Sequence, residues 1–265
     1  MNLNQSFLIA AALCIGAISA TTPAQAFRGG GGSFNRSGTF TDRRGSGSFS
    51  QSVNRSNGTA QRSSSWTNAN GGQGSHAATN TYDKTSGTGT HEGSTTYADG
   101  KTSSSQGTAT KTTNGYNYTG TATGPNGKTT DVDKTVTNNG NGSRSADTTL
   151  TNPTTGKSTT IDKTYTATGN GTATKDTTVT GPNGKTATSD QSYTQTSNGY
   201  AQTGTVTGPH GNTATDNRDV SYTHNADGST TRVEAGSTTG PNGKTVVNGN
   251  TETYTTTPVT PPATD

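Results

Sequence analysis

Beyond residue 26, this 265-residue chain contains a single leucine, Leu150, and a single isoleucine, Ile161. The remaining large apolar side chains there are Phe27, Phe34, Phe40, Phe49, Trp66, nine tyrosines and scattered valines. Full burial of one such side chain is worth about 1.5–3 kcal/mol, against about 1–2 kcal/mol of backbone entropy for every residue ordered. So sparse a set cannot build a conventional filled core. The chain must either stay disordered or form repetitive structure in which each unit leans on its neighbours.

Composition alone leaves that choice open. Only 22% of residues are hydrophobic, but the formal charge is +3, without the high net charge that usually accompanies disorder. The bulk is Thr, Gly, Asn and Ser, of which Thr favours strands while Gly and Asn favour turns. Repetition tips the balance. The stretch TGPNGKT begins at Thr123, Thr180 and Thr239, with variants at Thr96, Thr151 and Thr207, a period of about 28 residues. After most of these turns comes a second signature, as in Asp133-Lys-Thr-Val-Thr, Asp162-Lys-Thr-Tyr-Thr and Asp190-Gln-Ser-Tyr-Thr. Then follows an Asn-Gly or Asp-Gly hairpin signal, at Asn139-Gly140, Asn170-Gly171, Asn198-Gly199 or Asp227-Gly228.

Each repeat therefore reads strand, turn, strand, turn. Period-2 alternation puts Asp162, Thr164 and Thr166 on one face and Lys163 with Tyr165 on the other. The expected fold class is all-β: a repetitive β-hairpin or meander, or a solenoid-like array of ~28-residue repeats, over residues 79–254.

The ending Gly-Lys-Thr invites a nucleotide-binding reading, which the neighbouring letters reject. A P-loop needs a glycine five residues before its Gly-Lys, and Ala122, Val179 and Thr238 occupy that position. The β-branched runs that follow suit strands, not the required helix. As a turn, each letter has a role. Pro125, Pro182, Pro209 and Pro241 preset φ, and Asn126, Asn183 and Asn242 accept the next turn position. Gly127, Gly184, Gly211 and Gly243 supply a left-handed residue of the kind found in a G1 bulge.

Three flanking segments differ from the repeats. Residues 1–26 carry a short apolar run from Phe7 to Ser19 and end in Ala24-Gln25-Ala26, the pattern of an export signal with its cleavage site. Leu13 before Cys14 departs from a lipoprotein box, and cleavage after Ala26 leaves a mature chain with no cysteine and no transmembrane segment. Residues 27–78 are Gly/Ser/Arg-rich and are expected to form a disordered basic arm. Its Arg28, Arg36, Arg43, Arg44, Arg55 and Arg62 are the candidates for contact with anionic surface material such as acidic polysaccharide. Residues 255–265 form a Pro-rich tail, expected to be disordered.

Catalytic and metal chemistry find little support. His76, His91, His210 and His224 show no zinc-type spacing, and no cofactor motif or nucleophile–base pairing emerges. No enzyme, cofactor or specific nucleic-acid partner is expected, and the strands lack the apolar outward face of a membrane barrel. The reading is an exported, non-enzymatic bacterial repeat protein with a structural, matrix or adhesin-like role in the periplasm, at the cell surface or outside it. The alternative is a binding module acting through Thr-rich faces on ice, carbohydrate or other copies of itself, as amyloid-like fibres. Thr-x-Thr pairs such as Thr164/Thr166 and Thr205/Thr207 resemble the arrays of Thr-rich ice-binding β-solenoids.

Overall fold

The computed structural model describes residues 33–42 and 45–258. They form sixteen antiparallel strands. The first four are β1 (Phe34–Asp42), β2 (Gly45–Ser56), β3 (Thr59–Thr67) and β4 (Gln73–Asp83). Next come β5 (Thr88–Thr96), β6 (Thr102–Lys111), β7 (Gly115–Thr123) and β8 (Thr129–Gly140). They are followed by β9 (Ser143–Thr151), β10 (Ser158–Gly169), β11 (Thr172–Thr180) and β12 (Thr186–Gln195). The last four are β13 (Gly199–Thr207), β14 (Thr213–His224), β15 (Thr230–Thr239) and β16 (Thr245–Pro258).

Every strand pairs with its sequence neighbours, and β1 pairs with β16 from Phe34↔Pro258 to Thr41↔Thr251, closing a barrel. The meander expectation thus holds and the solenoid does not. Residues of consecutive repeats hydrogen-bond edge to edge around a wall; they do not stack as rungs. Closure also leaves no strand edge unpaired.

Two boundaries change. The Gly/Ser/Arg-rich segment expected to be disordered supplies β1, β2, β3 and the start of β4. Its serines and glycines alternate with Phe49, Gln51 and Val53, so the strand periodicity is present without Thr. At the other end β16 continues past Tyr254 to Pro258, where it borders β1. The proposed export signal, residues 1–26, and the end of the tail, residues 259–265, lie outside the described residues.

The turns divide between two rims because one ~28-residue repeat spans two strands. One rim carries tight turns at Asn57-Gly58, Asn141-Gly142 and Asn170-Gly171, with φ of 47° and 77°, 49° and 73°, and 51° and 72°. These are positive-φ pairs of the type I′ hairpin, whose twist matches that of the strands. In the repeat that begins at Thr123 the turn falls on Asn141-Gly142, two residues beyond the expected Asn139-Gly140. Gly140, at φ 77°, is instead part of a bulge between β8 and β9. The opposite rim carries all three GPNG turns and their variants. There Gly127 donates to the Gly124 carbonyl and Gly124 to the Lys128 carbonyl, both at 2.9 Å.

Register decides which face lines the interior. A line of Cα partners from Val53, near the end of β2, passes through Arg62, Ala78, Gly93, Ser105 and Ala122 to Thr130, near the start of β8. The strands are therefore inclined to the barrel axis. With the right-handed coil of twisted strands, L chirality turns the Ser56–Thr59 closing pair outward and the set containing Val53 and Arg62 inward. Burial agrees. Val53, Ala60, Ala109, Tyr118, Val132, Val136, Ala146, Leu150, Ile161 and Val220 are buried, and all belong to the inward set.

Sixteen strands enclose an aqueous channel, not a filled core. Apolar burial is consequently a stripe along the inner wall. Ala109, Tyr118, Val132, Leu150 and Ile161 form a continuous cluster over β6–β10, with Tyr116, Ala122 and Val179 packed against it. Glycines opposite rings complete this surface. An added Cβ at Gly74 would collide with the Trp66 indole, and one at Gly107 with the Tyr118 ring. Each ring lies over backbone that a glycine leaves bare.

A basic, aromatic lumen as candidate binding site

The alternation of the strands sorts side chains by chemistry as well as by size. Following the register around the wall, the inward set holds the strand aromatics: Phe34, Phe40, Phe49, Trp66 and the strand tyrosines, all those from Tyr82 to Tyr254 except the rim residue Tyr97. The outward set is Ser and Thr with a band of acids: Asp131 and Asp133 on β8, Asp147 on β9, Asp162 on β10, Asp176 on β11 and Asp190 on β12. Charges follow the same division. Among the described strand residues, Arg36, Arg55, Arg62, Lys111, Lys134, Arg144, Lys163, Lys175, Arg218 and Arg232 all face the lumen, where Asp216, Glu234 and Glu252 are the acids of the inner wall from β14 to β16. The lumen is therefore basic and aromatic, and the outer wall acidic and hydroxylated.

Like charges meet directly on that outer wall, at Asp147↔Asp162 and Asp176↔Asp190. Such pairing is unfavourable and is tolerated where water and salt screen it. Among the described residues, no group of three His, Cys, Asp or Glu side chains could hold a metal ion.

Three charged clusters and a pair of histidines make up the lumen chemistry. Near the β1–β16 seam, the Arg36 guanidinium lies 3.6 Å from the Tyr254 ring centroid and 5.3 Å from that of Phe49, and pairs with Glu252 at 2.6 Å. On β14–β15, Glu234 pairs with both Arg232 and Arg218. Burial disfavours the charged Arg232, but hydrogen bonds with Glu234, Tyr222 and Tyr200 outweigh it and raise its pKa.

The third cluster has no acid. Lys134 on β8, Arg144 on β9, Lys163 on β10 and Lys175 on β11 occupy the inner wall, with Lys175 5.9 Å from the Tyr165 ring centroid. Burial, then Lys163 and Arg144, lower the Lys134 pKa; burial and Lys163 lower that of Lys175. On β4 and β5, His91 bonds Asn80 at 2.9 Å and Ser105 at 3.0 Å, and His76 bonds Thr95 at 3.0 Å. Burial first, then Arg62 for His76 and His76 for His91, push both imidazoles toward the neutral form.

The candidates read from the sequence separate into three groups. Arg36, Arg55 and Arg62 sit on three adjacent strands of the inner wall and not on a free arm. Arg28, Arg43 and Arg44 lie outside the described residues. Pro125, Asn126, Gly127, Pro182, Asn183, Gly184, Pro209, Gly211, Pro241, Asn242 and Gly243 all fall in turns of one rim, away from the inner wall. That rim also exposes Lys101, Lys128, Lys157, Lys185 and Lys244, each just after a positive-φ glycine. The lumen lysines and tyrosines escaped selection as a site, although Lys163 and Tyr165 were already assigned to one face. Only closure turns that face into a concave surface.

No protein-family model matches the chain, and no curated protein matches it. Among solved structures the barrel is similar to Wzi, an outer membrane protein involved in group 1 capsule assembly in Escherichia coli and a carbohydrate-binding β-barrel. The match has a TM-score of 0.57 and covers 85% of this chain and 84% of that one, at 8% sequence identity. The likeness is one of fold: two closed β-barrels of comparable extent, built from unrelated side chains.

Proposed function

We propose that this protein is an exported, non-catalytic barrel that binds polysaccharide at or outside the cell surface. The observation that carries the reading is the collection of the strand aromatics on the concave wall of an open barrel. Sugar rings present apolar C–H faces to aromatic rings and hydroxyls to polar groups, and the inner wall offers both between its tyrosines, glutamines and asparagines. The fold of a solved carbohydrate-binding barrel supports the reading.

Trp66, the one tryptophan of the chain, stands on this wall and reports on it. Polysaccharide entering the lumen is expected to change its emission and to retard the protein in affinity electrophoresis. Replacement of inner-wall Tyr165 and Tyr193 by alanine is expected to abolish the retardation. Migration unaffected by a panel of neutral and acidic polysaccharides would remove the proposal.

The outer wall argues against a lipid-spanning role. A membrane barrel presents an apolar band about 25 Å tall to lipid, and here that surface carries Asp133, Asp147, Asp162 and Asp176 near mid-strand. The Thr-rich outer wall also curves around a closed barrel, whereas the alternative reading as an ice-binding surface needs flat ranks of threonine.

A further inference from the structure

Resting on the proposed polysaccharide reading, we infer that the lumen selects acidic glycans, holding their carboxylates at Lys134, Arg144, Lys163 and Lys175 beside Tyr165. Four cations on four consecutive strands, β8 to β11, share one concave surface. Among the described residues, none has an acidic partner. The next inward acid, Asp216 on β14, is already engaged by Gln202 at 3.3 Å and Thr238 at 3.0 Å. The acids of β8 to β12 all project from the opposite side of the wall, so the sheet separates them from these lysines.

Convergence of like charge without a counter-ion costs stability; burial first, and then the neighbouring cations, depress the pKa values of Lys134 and Lys175. A carboxylated polymer would remove it while its sugar faces lie on the neighbouring tyrosines. A simple anion would meet the charge alone. Repeated carboxylates along a chain match cations repeated from strand to strand, because bound at one site the next is held at high effective concentration.

The test titrates the full mature chain with oligogalacturonate and with its neutral methyl ester. The acid form is expected to bind roughly tenfold or more tightly at low salt, with the advantage collapsing at high salt. Lys163→Gln/Lys175→Gln is expected to lose that advantage and keep the affinity for the ester. Lys128→Gln/Lys185→Gln, on the rim, is expected to change neither. Should the lumen double variant fail to fold, Lys163→Gln alone carries the test, with an expected loss of about threefold.

Equal binding of acid and ester would overturn the anion selection and leave the polysaccharide reading standing. Loss of the advantage in the rim variant, but not the lumen variant, would overturn the site. Binding of neither oligomer would overturn both.

Discussion

At the scale of single residues, the inner wall is held by polar contacts that depend on protonation. His91 accepts its place between Asn80 and Ser105 as a neutral ring, since burial and His76 lower its pKa while Glu92 opposes them only in part. A folded-state value below the ordinary 6.5 means that the unfolded chain takes up the proton first. The stability contributed by His91 is therefore complete above about pH 6.5 and is lost as pH falls through the folded value. The melting temperature is expected to drop between pH 7.5 and 5, and His91→Gln to flatten the drop, leaving the share of His76. Parallel profiles for the two proteins would contradict this account. Residue chemistry was partly legible in advance: alternation assigned Lys163 and Tyr165 to one face and Asp162 and Thr164 to the other, as the register places them. What alternation could not supply was the curvature that makes one face a site.

At the scale of elements, the repeating turn acts through its backbone. Gly184 lies at φ 75° with no atom within 4 Å of an added Cβ, so Gly184→Ala meets a conformational cost and no clash. That cost is about 1–2 kcal/mol, the penalty of the left-handed region for an L residue. The neighbouring Lys185→Ala is expected to stay within about 0.5 kcal/mol of the parent protein. Urea unfolding of the two variants checks the contrast; similar losses would return the lysine to the centre of the turn. The N-terminal elements were the ones composition concealed. FSQSV in β2 alternates as strictly as any Thr-rich strand, but Ser and Gly suggest disorder when counted and a strand only when ordered by parity.

At the scale of the whole molecule, charge is sorted across a closed wall. An outer surface of Ser, Thr and Asp is stable in water and strongly disfavoured in hydrocarbon. The purified protein is expected to stay in solution with neutral liposomes and to form no ion-conducting pores in planar bilayers. Stable insertion with ion conductance would show that the wall is reversed. Closure itself joins residues from opposite ends of the sequence: Arg36 and Glu252 pair across 216 positions of chain.

By itself the sequence determined the local terms. Gly, Pro and Asn set where the chain turns, and two-residue alternation set which side chains share a face, because both depend on neighbours a few residues apart. The tertiary structure decided the rest. Whether paired hairpins stack, lie flat or close, and which face becomes concave, depends on inclination accumulated through sixteen registers and settled where β1 meets β16. No single repeat carries that sum. It is also the sum that turns scattered arginines, lysines and tyrosines into one basic, aromatic lumen.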